Sequence, residues 1–209
     1  MTTVIGLTGG IASGKSVVSG MLAERGAPVI DADKLGHEAY LPGTACFDEV
    51  VAAFGQDIVA PDGTVNRKAL GAKVFGDPAQ RKRLEAIVWP AIKRLAAERI
   101  ATLRAEGVPV VVLEAAVLFE ADWTDLADTI WVVVVDPAIA RERIVTRNGL
   151  TPEQADARIA AQLTNEERTR RADTIIENNG TLEELRARVD AAWAALRTDL
   201  GTAPVAEGA

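Results

Sequence analysis

The sequence has 209 residues, of which 48% are hydrophobic and 25% are charged, and its formal net charge at pH 7 is −7. This length and composition are typical of a globular chain with one sizeable core, and they argue against wholesale disorder. The negative net charge argues against nucleic acid as the main binding partner, because a protein binds a phosphate backbone through a positively charged surface. No uninterrupted apolar run reaches the length of about 18 residues that indicates a membrane-spanning helix, so we expect no membrane partner.

The first predicted elements surround a glycine-rich stretch, VIGLTGGIASGKS, at residues 4–16. Apolar residues at 4–7 predict a buried strand, and residues 17–25 predict a helix. The turn between them has the spacing G-x-x-x-x-G-K-S over residues 9–16. A strand before this spacing and a helix after it are the context of a phosphate-binding loop, so we predict that the chain binds a nucleotide.

The residue types in this loop suit phosphate chemistry. Glycines let backbone N–H groups turn toward an anion, and the start of the following helix adds positive potential. Lys15 can reach the β- and γ-phosphates, and Ser16 can offer its hydroxyl to Mg²⁺. The predicted nucleotide-binding residues of the loop are Gly9, Ala12, Ser13, Gly14, Lys15, Ser16 and Val17.

Two carboxylates follow the next predicted strand, residues 27–30. The carboxyl ends of strands in open α/β sheets face the ligand crevice, which makes this pair a candidate for function. Either acid could instead cap the helix that follows. We expect Asp31 to cap or orient and Asp33 to face the substrate.

Residues 34–106 carry helical patterns and no strand signal. Connections in α/β units are normally short, so a helical insertion of this size is typical of a region that shapes a substrate site. Its basic residues are more typical of solvated surface than of ligand contacts. We expect Pro90 to divide or kink the last helix, because proline removes a donor and clashes with the preceding turn. The predicted helices are residues 34–41, 45–54, 67–75 and 78–106.

Three further strands are predicted at residues 108–114, 129–135 and 173–177. The first two are continuous apolar runs, which are typical of a parallel sheet covered by helices on both faces. Together with the two earlier strands they predict an α/β fold with a five-stranded parallel sheet flanked by helices. Glu114, at the end of its strand, resembles the acid that acts on nucleotide-bound Mg²⁺ through water, although a strand-end acid can also simply face solvent.

Two helices, at residues 137–148 and 151–163, are predicted to form a hairpin about Asn148 and Gly149. Seven arginines lie in residues 141–171, against the acidic balance of the whole chain. Guanidinium groups neutralise phosphoryl charge and stack on adenine, so this density predicts a lid over the nucleotide. Salt-bridged helix surface explains most of the seven equally well. We favour Arg143 and Arg147 as the functional pair because they lie one turn apart.

The single cysteine, Cys46, cannot form an internal disulfide, which indicates a reducing compartment. We interpret it as a small buried hydrophobe rather than a nucleophile. The first residues lack the basic and apolar segments of a signal peptide, so we expect a cytoplasmic protein.

At this point the sequence resembles the dephospho-coenzyme A kinase family over essentially its full length. The matching stretches are GLTGGIASGKS, DADKLGHEAYLPG, FGQDI with DGTVNRKALGAKVF, AAVLFEADW, RERIVTRNGL and ADTIIENNG. The resemblance implies a P-loop kinase that uses ATP and Mg²⁺ to phosphorylate the ribose 3′-hydroxyl of dephospho-coenzyme A, the last step of coenzyme A synthesis. It also implies a helical substrate domain and a two-helix lid, and we expect a monomer.

Residue by residue, the resemblance implies Asp33 as the catalytic base, Lys15 on the phosphates, and Arg143 and Arg147 in the lid. We also expect Asn178 to bind the nucleotide. The expected substrate-binding residues are Asp33, His37, Arg67, Glu114 and Leu118. Ser16 is the expected Mg²⁺ ligand, with Asp33 or Glu114 acting through water. The predicted division is a core of 1–33, 107–140 and 166–201, a substrate domain of 34–106, a lid of 141–165 and a flexible tail of 202–209.

The sequence departs from the family pattern at two places. Trp89 precedes Pro90 where many members have histidine, and Glu114 stands where many have aspartate. Two other functions stay open on the residues alone. One is a nucleoside or nucleotide monophosphate kinase on the same scaffold, since one fold hosts many substrates. The other is a nucleotide-binding switch, although the Asn-Lys-x-Asp pattern of guanine-specific switches is absent.

Overall fold

The structure, a computed structural model, describes residues 1–201. The predicted tail at residues 202–209 lies outside the described residues. One unit is formed by residues 1–30 and 106–201, and the other by residues 31–105. The second unit is similar in extent to the predicted helical insertion at 34–106.

A five-stranded parallel sheet organises the fold, with the strand order β2-β3-β1-β4-β5. β1 occupies the centre and pairs in parallel with β3 and β4, so that Leu7 lies opposite both Glu114 and Trp131. β5 pairs in parallel with β4. The α/β prediction is therefore confirmed. The strands are β1 Thr3–Gly9, β2 Val29–Asp31, β3 Val110–Glu114, β4 Thr129–Val134 and β5 Thr174–Glu177.

Two helices pack on one another beside this sheet, α1 (Lys15–Glu24) and α9 (Leu182–Asp199). Apolar side chains of α1, α9 and the strands form one buried cluster. Fully burying each such side chain stabilises the fold by about 1.5–3 kcal/mol, so the cluster holds the end of β1 and the start of α1 in a fixed relation. The buried residues of the two helices in this cluster are Val18, Met21, Leu22, Leu185 and Val189.

The predicted hairpin is present as α6 (Pro137–Asn148) and α7 (Pro152–Ala160), followed by the short helix α8 (Asn165–Thr169). α6 has the predicted bounds, while α7 ends three residues earlier than predicted. Each begins with proline in its first turn, and Gly149 ends α6 in the left-handed conformation, with φ 63°. These end signals agree with the preference for proline at helix starts and glycine just past helix ends.

The other unit is helical, and α2 (Ala32–Ala39), α3 (Ala45–Phe54) and α4 (Arg67–Val74) all pack against α5 (Pro78–Ala105). α5 is continuous over 28 residues, so the helix is not divided at Pro90. Its packing against three other helices outweighs the cost of the missing hydrogen bond. The buried apolar residues of this unit include Leu35, Val50, Phe54, Leu70, Ile92 and Ala96.

Cys46 is buried in the helical unit and is free. Burial and the charge of Glu49 raise the pKa of the Cys46 thiol above its ordinary value, although Arg94 acts in the opposite direction. The thiol therefore stays protonated and packs as a small hydrophobe, in agreement with the sequence interpretation. Among residues 1–201, none of the helices combines the length and the apolar character that crossing a bilayer requires.

Candidate active site

The loop between β1 and α1 has the backbone geometry that its glycines predict. Gly14 has φ 90°, in the left-handed region, and a Cβ atom there would lie 2.2 Å from Asn178 Nδ2. Only glycine avoids both the backbone strain and this clash. Ala12 also has a positive φ of 58°, without the freedom of glycine. Such a conformation persists only where neighbouring contacts hold it.

The loop presents a group of unpartnered backbone donors. Within residues 1–201, the N–H groups of Ala12, Gly14, Lys15 and Ser16 donate to no protein acceptor. The last two belong to the first turn of α1, where the helix adds about half a positive charge. Adjacent free N–H groups at a helix start form an anion-binding site. The loop is therefore built to receive the oxygens of a phosphate group.

Three side chains at the helix end of the loop form a network. Lys15 Nζ donates to Glu114 Oε1 at 2.5 Å, and Ser16 Oγ donates to the same oxygen at 2.9 Å. The side chains of Lys15 and Glu114 are only 11% and 7% exposed, so water screens this ion pair weakly. The predicted strand-end acid therefore faces the loop and not the solvent, because β3 lies beside β1 in the sheet.

The network determines the charge of Glu114. Burial would raise the pKa of its carboxyl group, but the hydrogen bonds from Lys15 and from serine hydroxyls, with the charge of Lys15, outweigh burial and hold the pKa below its ordinary value. Glu114 is therefore ionised at neutral pH. An ionised carboxylate beside a serine hydroxyl is a pair of hard oxygen groups, the kind that Mg²⁺ prefers.

The opposite side of the loop is held by Arg143 and Asn178. Arg143 donates to the carbonyl oxygen of Ala12 at 3.2 Å and to the carbonyl oxygen of Asn178 at 3.0 Å. Asn178, which is buried, donates through Nδ2 to the carbonyl oxygen of Ser13 at 2.8 Å. These two predicted residues thus contact the phosphate-binding loop directly and connect it to α6 and to the end of β5.

An open cavity of about 670 Å³ adjoins the loop. It is of the size that holds a nucleoside. Arg147 lines it and is exposed, and its only hydrogen bond within residues 1–201 goes to Asn148 at 3.3 Å. Its guanidinium group is therefore available to a ligand. The lining residues are Ala12, Gly14, Val17, Ile139, Glu142, Arg143, Thr146, Arg147, Asn178, Gly180, Leu182 and Leu185.

The remaining polar candidates lie in the helical unit. Asp31 caps α2 by accepting from the backbone N–H groups of Asp33 and Lys34, which confirms its predicted capping role. Asp33 and His37 are exposed on α2 at a spacing of one helical turn. Arg67 is the exposed first residue of α4. In the part of the chain that the structure describes, the Asp33 carboxylate accepts no hydrogen bond and is open to solvent.

Leu118 packs in the core beside the central strand. Its side chain is fully buried, and its Cδ2 atom would lie 3.1 Å from a Cβ atom on Gly6 of that strand. The missing side chain of that glycine makes room for the leucine. The expected contact of Leu118 with the substrate stays a prediction.

Two residues next to the loop were missed by the sequence analysis. Gln162 Oε1 accepts from the backbone N–H of Ile11 at 2.8 Å. Arg168 is 2% exposed and pairs with Glu120 at 3.4 Å. Arg168 is the only one of the seven arginines that is buried, and on a helix as short as α8 no sequence pattern distinguishes it. Nothing in the local sequence marks Gln162, because its partner is 151 residues away.

The central strand of a parallel sheet leads into a phosphate-binding loop, and a lysine and a strand-end acid lie at the start of the following helix. A helical hairpin that carries arginines lies beside the loop. These features together define the class of P-loop kinases. Comparison with known proteins identifies the family within this class. The family model for dephospho-CoA kinase matches residues 3–184. The chain therefore belongs to the dephospho-CoA kinase family.

Individual relatives agree with this assignment. The chain is 53% identical over 191 residues to a dephospho-CoA kinase of Geobacter sulfurreducens, covering 91% of this chain and 97% of the relative. It is 50% identical over 203 residues to one of Symbiobacterium thermophilum, covering 97% and 85%. A solved dephospho-CoA kinase from Campylobacter jejuni superimposes with a TM-score of 0.74 at 25% identity, covering 96% of this chain and all of the other. The protein therefore has dephospho-CoA kinase activity, which is the ATP-dependent last step of coenzyme A biosynthesis.

Proposed function

We propose that residues of the loop, the hairpin and α2 divide the work of transferring the γ-phosphate of ATP to the ribose 3′-hydroxyl of dephospho-CoA. The observation that carries this proposal is the set of free N–H groups beside the Lys15–Glu114–Ser16 network. Phosphoryl transfer needs alignment and charge neutralisation more than covalent participation by the protein. Fixed donors in a partly buried loop supply both.

Lys15 can contact the transferred phosphate while it keeps its hydrogen bond to the Glu114 carboxylate. An ammonium group has three donors, and the structure uses one of them for Glu114. The other two can reach the β- and γ-phosphates. Glu114 orients the ammonium in this scheme, so its loss would misplace the lysine as well as remove a negative charge.

The adenosine part of ATP occupies the cavity between the loop and α6. Val17, Ile139 and Leu182 give the cavity apolar walls, and Arg147 contributes a guanidinium plane at its rim. Arginine stacks on aromatic rings and stays charged at every physiological pH, so Arg147 suits a role over the base or the phosphates. Arg143 acts as the second lid arginine, since it already contacts the loop.

The residues at the helix end of the loop fit Mg²⁺. Ser16 would hold the ion through its hydroxyl, with Glu114 or Asp33 acting through water. Such an ion, when bound, neutralises charge that develops on the phosphate oxygens. The support for this assignment is the 2.9 Å contact between Ser16 Oγ and an ionised Glu114.

Asp33 serves as the base that accepts the proton of the 3′-hydroxyl. Its carboxylate is exposed and makes no competing hydrogen bond within residues 1–201, while Asp31 fixes the start of α2 on which Asp33 is carried. His37 and Arg67 contribute to acceptor binding in the helical unit. A monomer suffices, because all of these residues belong to one chain, and we place the enzyme in the cytoplasm.

The test is ADP release measured with and without dephospho-CoA, with mass spectrometry of the product. ADP release that depends on this acceptor supports the proposal, whereas phosphorylation of nucleoside monophosphates in its place contradicts it. Asp33→Asn should bind ATP normally but lose turnover by about two to four orders of magnitude, the usual contribution of a general base. Asp48→Asn is the matched control, since Asp48 is an exposed acid in the first turn of α3. Near-normal turnover of Asp33→Asn would rule out the assigned base.

A further inference from the structure

Two side chains hold neighbouring residues, Ile11 and Ala12, at the leading end of the phosphate-binding loop, which is the end away from α1. Gln162 accepts from the N–H of Ile11 at 2.8 Å, and Arg143 donates to the carbonyl oxygen of Ala12 at 3.2 Å. Gln162 follows α7, whereas Arg143 belongs to α6. The middle of α6 and the segment just after α7 therefore reach the same short part of the loop.

This segment is the one that needs outside support. Ala12 has a φ of 58°, which is uncommon for a residue with a side chain. Ile11 precedes Ala12, and Gly10 precedes Ile11. Glycine adopts many backbone conformations at little cost. The peptide group between Gly10 and Ile11 can therefore rotate easily unless both of its ends are bonded.

Both ends of that peptide group are bonded in the structure. Its carbonyl oxygen, on Gly10, accepts from the N–H of Ser13 at 3.2 Å. Its N–H, on Ile11, donates to Gln162. Rotation of this peptide would break the bond from Ser13 and turn the Gly10 carbonyl oxygen toward the side that the Ile11 N–H now faces, which would change the backbone conformation of the loop. Gln162 supplies the bond at the end that the loop itself leaves free.

The orientation of the Gln162 amide follows from its partner. A backbone N–H is a donor only, so the carbonyl oxygen of the side chain must face it. The side chain is exposed but its backbone is fixed, because the buried guanidinium of Arg168 donates to the carbonyl oxygen of Leu163. Arg168 also pairs with Glu120. A Cβ atom on Gly10 would lie 3.6 Å from both Gln162 Oε1 and Arg168 Nη1, so the two side chains stand together over the loop.

We propose that Gln162 is a positioning residue for phosphoryl transfer, which acts by holding the Ile11 N–H and so keeps the phosphate-binding loop in its anion-accepting conformation. This inference rests on the proposed function of the loop. Gln162 touches no reacting atom in this scheme. Its effect falls on the donor nucleotide, because the loop receives the phosphates of ATP and not the acceptor.

The test compares Gln162→Met with Gln154→Met. Methionine keeps the length of the side chain and removes the acceptor. Gln154 is an exposed glutamine of the same hairpin, and its side chain accepts from the backbone N–H of Thr151 in the cap of α7. Gln162→Met should lower kcat/KM for ATP about five- to tenfold, the effect of one lost hydrogen bond, and should leave KM for dephospho-CoA unchanged. Gln154→Met should leave both constants unchanged.

Two measurements without the acceptor separate this inference from the proposed function. Calorimetry should show MgADP binding weakened by the same factor in Gln162→Met. Amide hydrogen exchange at Ile11 should accelerate in Gln162→Met and return to the wild-type rate in Gln162→Glu, which restores an acceptor oxygen. Wild-type exchange at Ile11 and wild-type MgADP affinity in Gln162→Met would overturn the inference, as would an equal loss of kcat/KM in Gln154→Met.

Discussion

The two ends of the phosphate-binding loop are held in different ways. At the helix end, Lys15 and Ser16 are fixed by Glu114 in a buried network supplied by the sheet. At the leading end, Ile11 and Ala12 are held by Gln162 and Arg143 from the hairpin. The first arrangement is part of the core, while the second depends on how the hairpin lies. The donor site thus combines a lysine held by the core with a segment, Ile11 and Ala12, that is held by the hairpin.

The contacts at the two ends also differ in the free energy that is lost when one of them is removed. Removing one partner of a buried ion pair costs about 3–5 kcal/mol, because a charge is left without compensation. Losing one hydrogen bond near the surface costs about 1 kcal/mol. Damage at the helix end should therefore affect folding and catalysis together, whereas damage at the leading end should affect catalysis alone.

The largest effect is expected for Lys15→Ala. This variant removes the ammonium group at the helix end and leaves Glu114 buried without its partner. We expect kcat/KM for ATP to fall by about 10²–10³, the usual loss for a transition-state donor. The unfolding midpoint should fall in the same variant. Steady-state kinetics with Lys82→Ala as an exposed control provide the check, and unchanged kinetics in Lys15→Ala would contradict the role of the loop.

A smaller effect is expected for Arg143→Ala. Its guanidinium donates to the carbonyl oxygens of Ala12 and Asn178, and only Ala12 belongs to the loop. One charged hydrogen bond contributes about 1.5–3 kcal/mol, which sets the size of the expected loss. We expect kcat/KM for ATP to fall about 10- to 100-fold with little change in the unfolding midpoint. Arg147→Ala, one turn further along α6, should raise KM for ATP by less than tenfold. Equal losses in the two variants would show that contact with the loop is not what distinguishes Arg143.

The smallest effect is expected in the pH dependence of the free energy of unfolding. The folded protein holds the pKa of Glu114 below its ordinary value of about 4.5, so the unfolded chain binds the proton more readily. The stabilisation that this carboxylate provides is present above that value and is lost as the pH falls through the folded pKa. The free energy of unfolding of the wild type should therefore fall relative to that of Glu114→Gln as the pH drops below about 4.5. A pH-independent difference between the two would contradict an ionised, paired Glu114.

Local signals in the sequence were enough to predict the sheet and most helix bounds. Apolar runs marked four of the five strands, and α6 ended where Gly149 predicted. The helical run at 78–106 was predicted, but a division at Pro90 was the wrong alternative, because packing against three neighbouring helices keeps α5 continuous. The burial of Leu118 is likewise not visible in the local sequence, because its neighbour Gly6 lies on a strand more than 100 residues earlier.

By itself, the sequence determined the anion-binding chemistry of this protein. A glycine turn, a helix start, a lysine and a serine are adjacent in the chain, so no tertiary contact is needed to bring them together. The tertiary structure alone decided what supports that loop. Glu114, Asn178 and Gln162 reach it from 99, 165 and 151 residues away, through side chains whose partners depend on strand order and on the hairpin. Local spacing specifies which groups bind phosphate, whereas the packing of distant elements specifies how firmly each peptide of the loop is held.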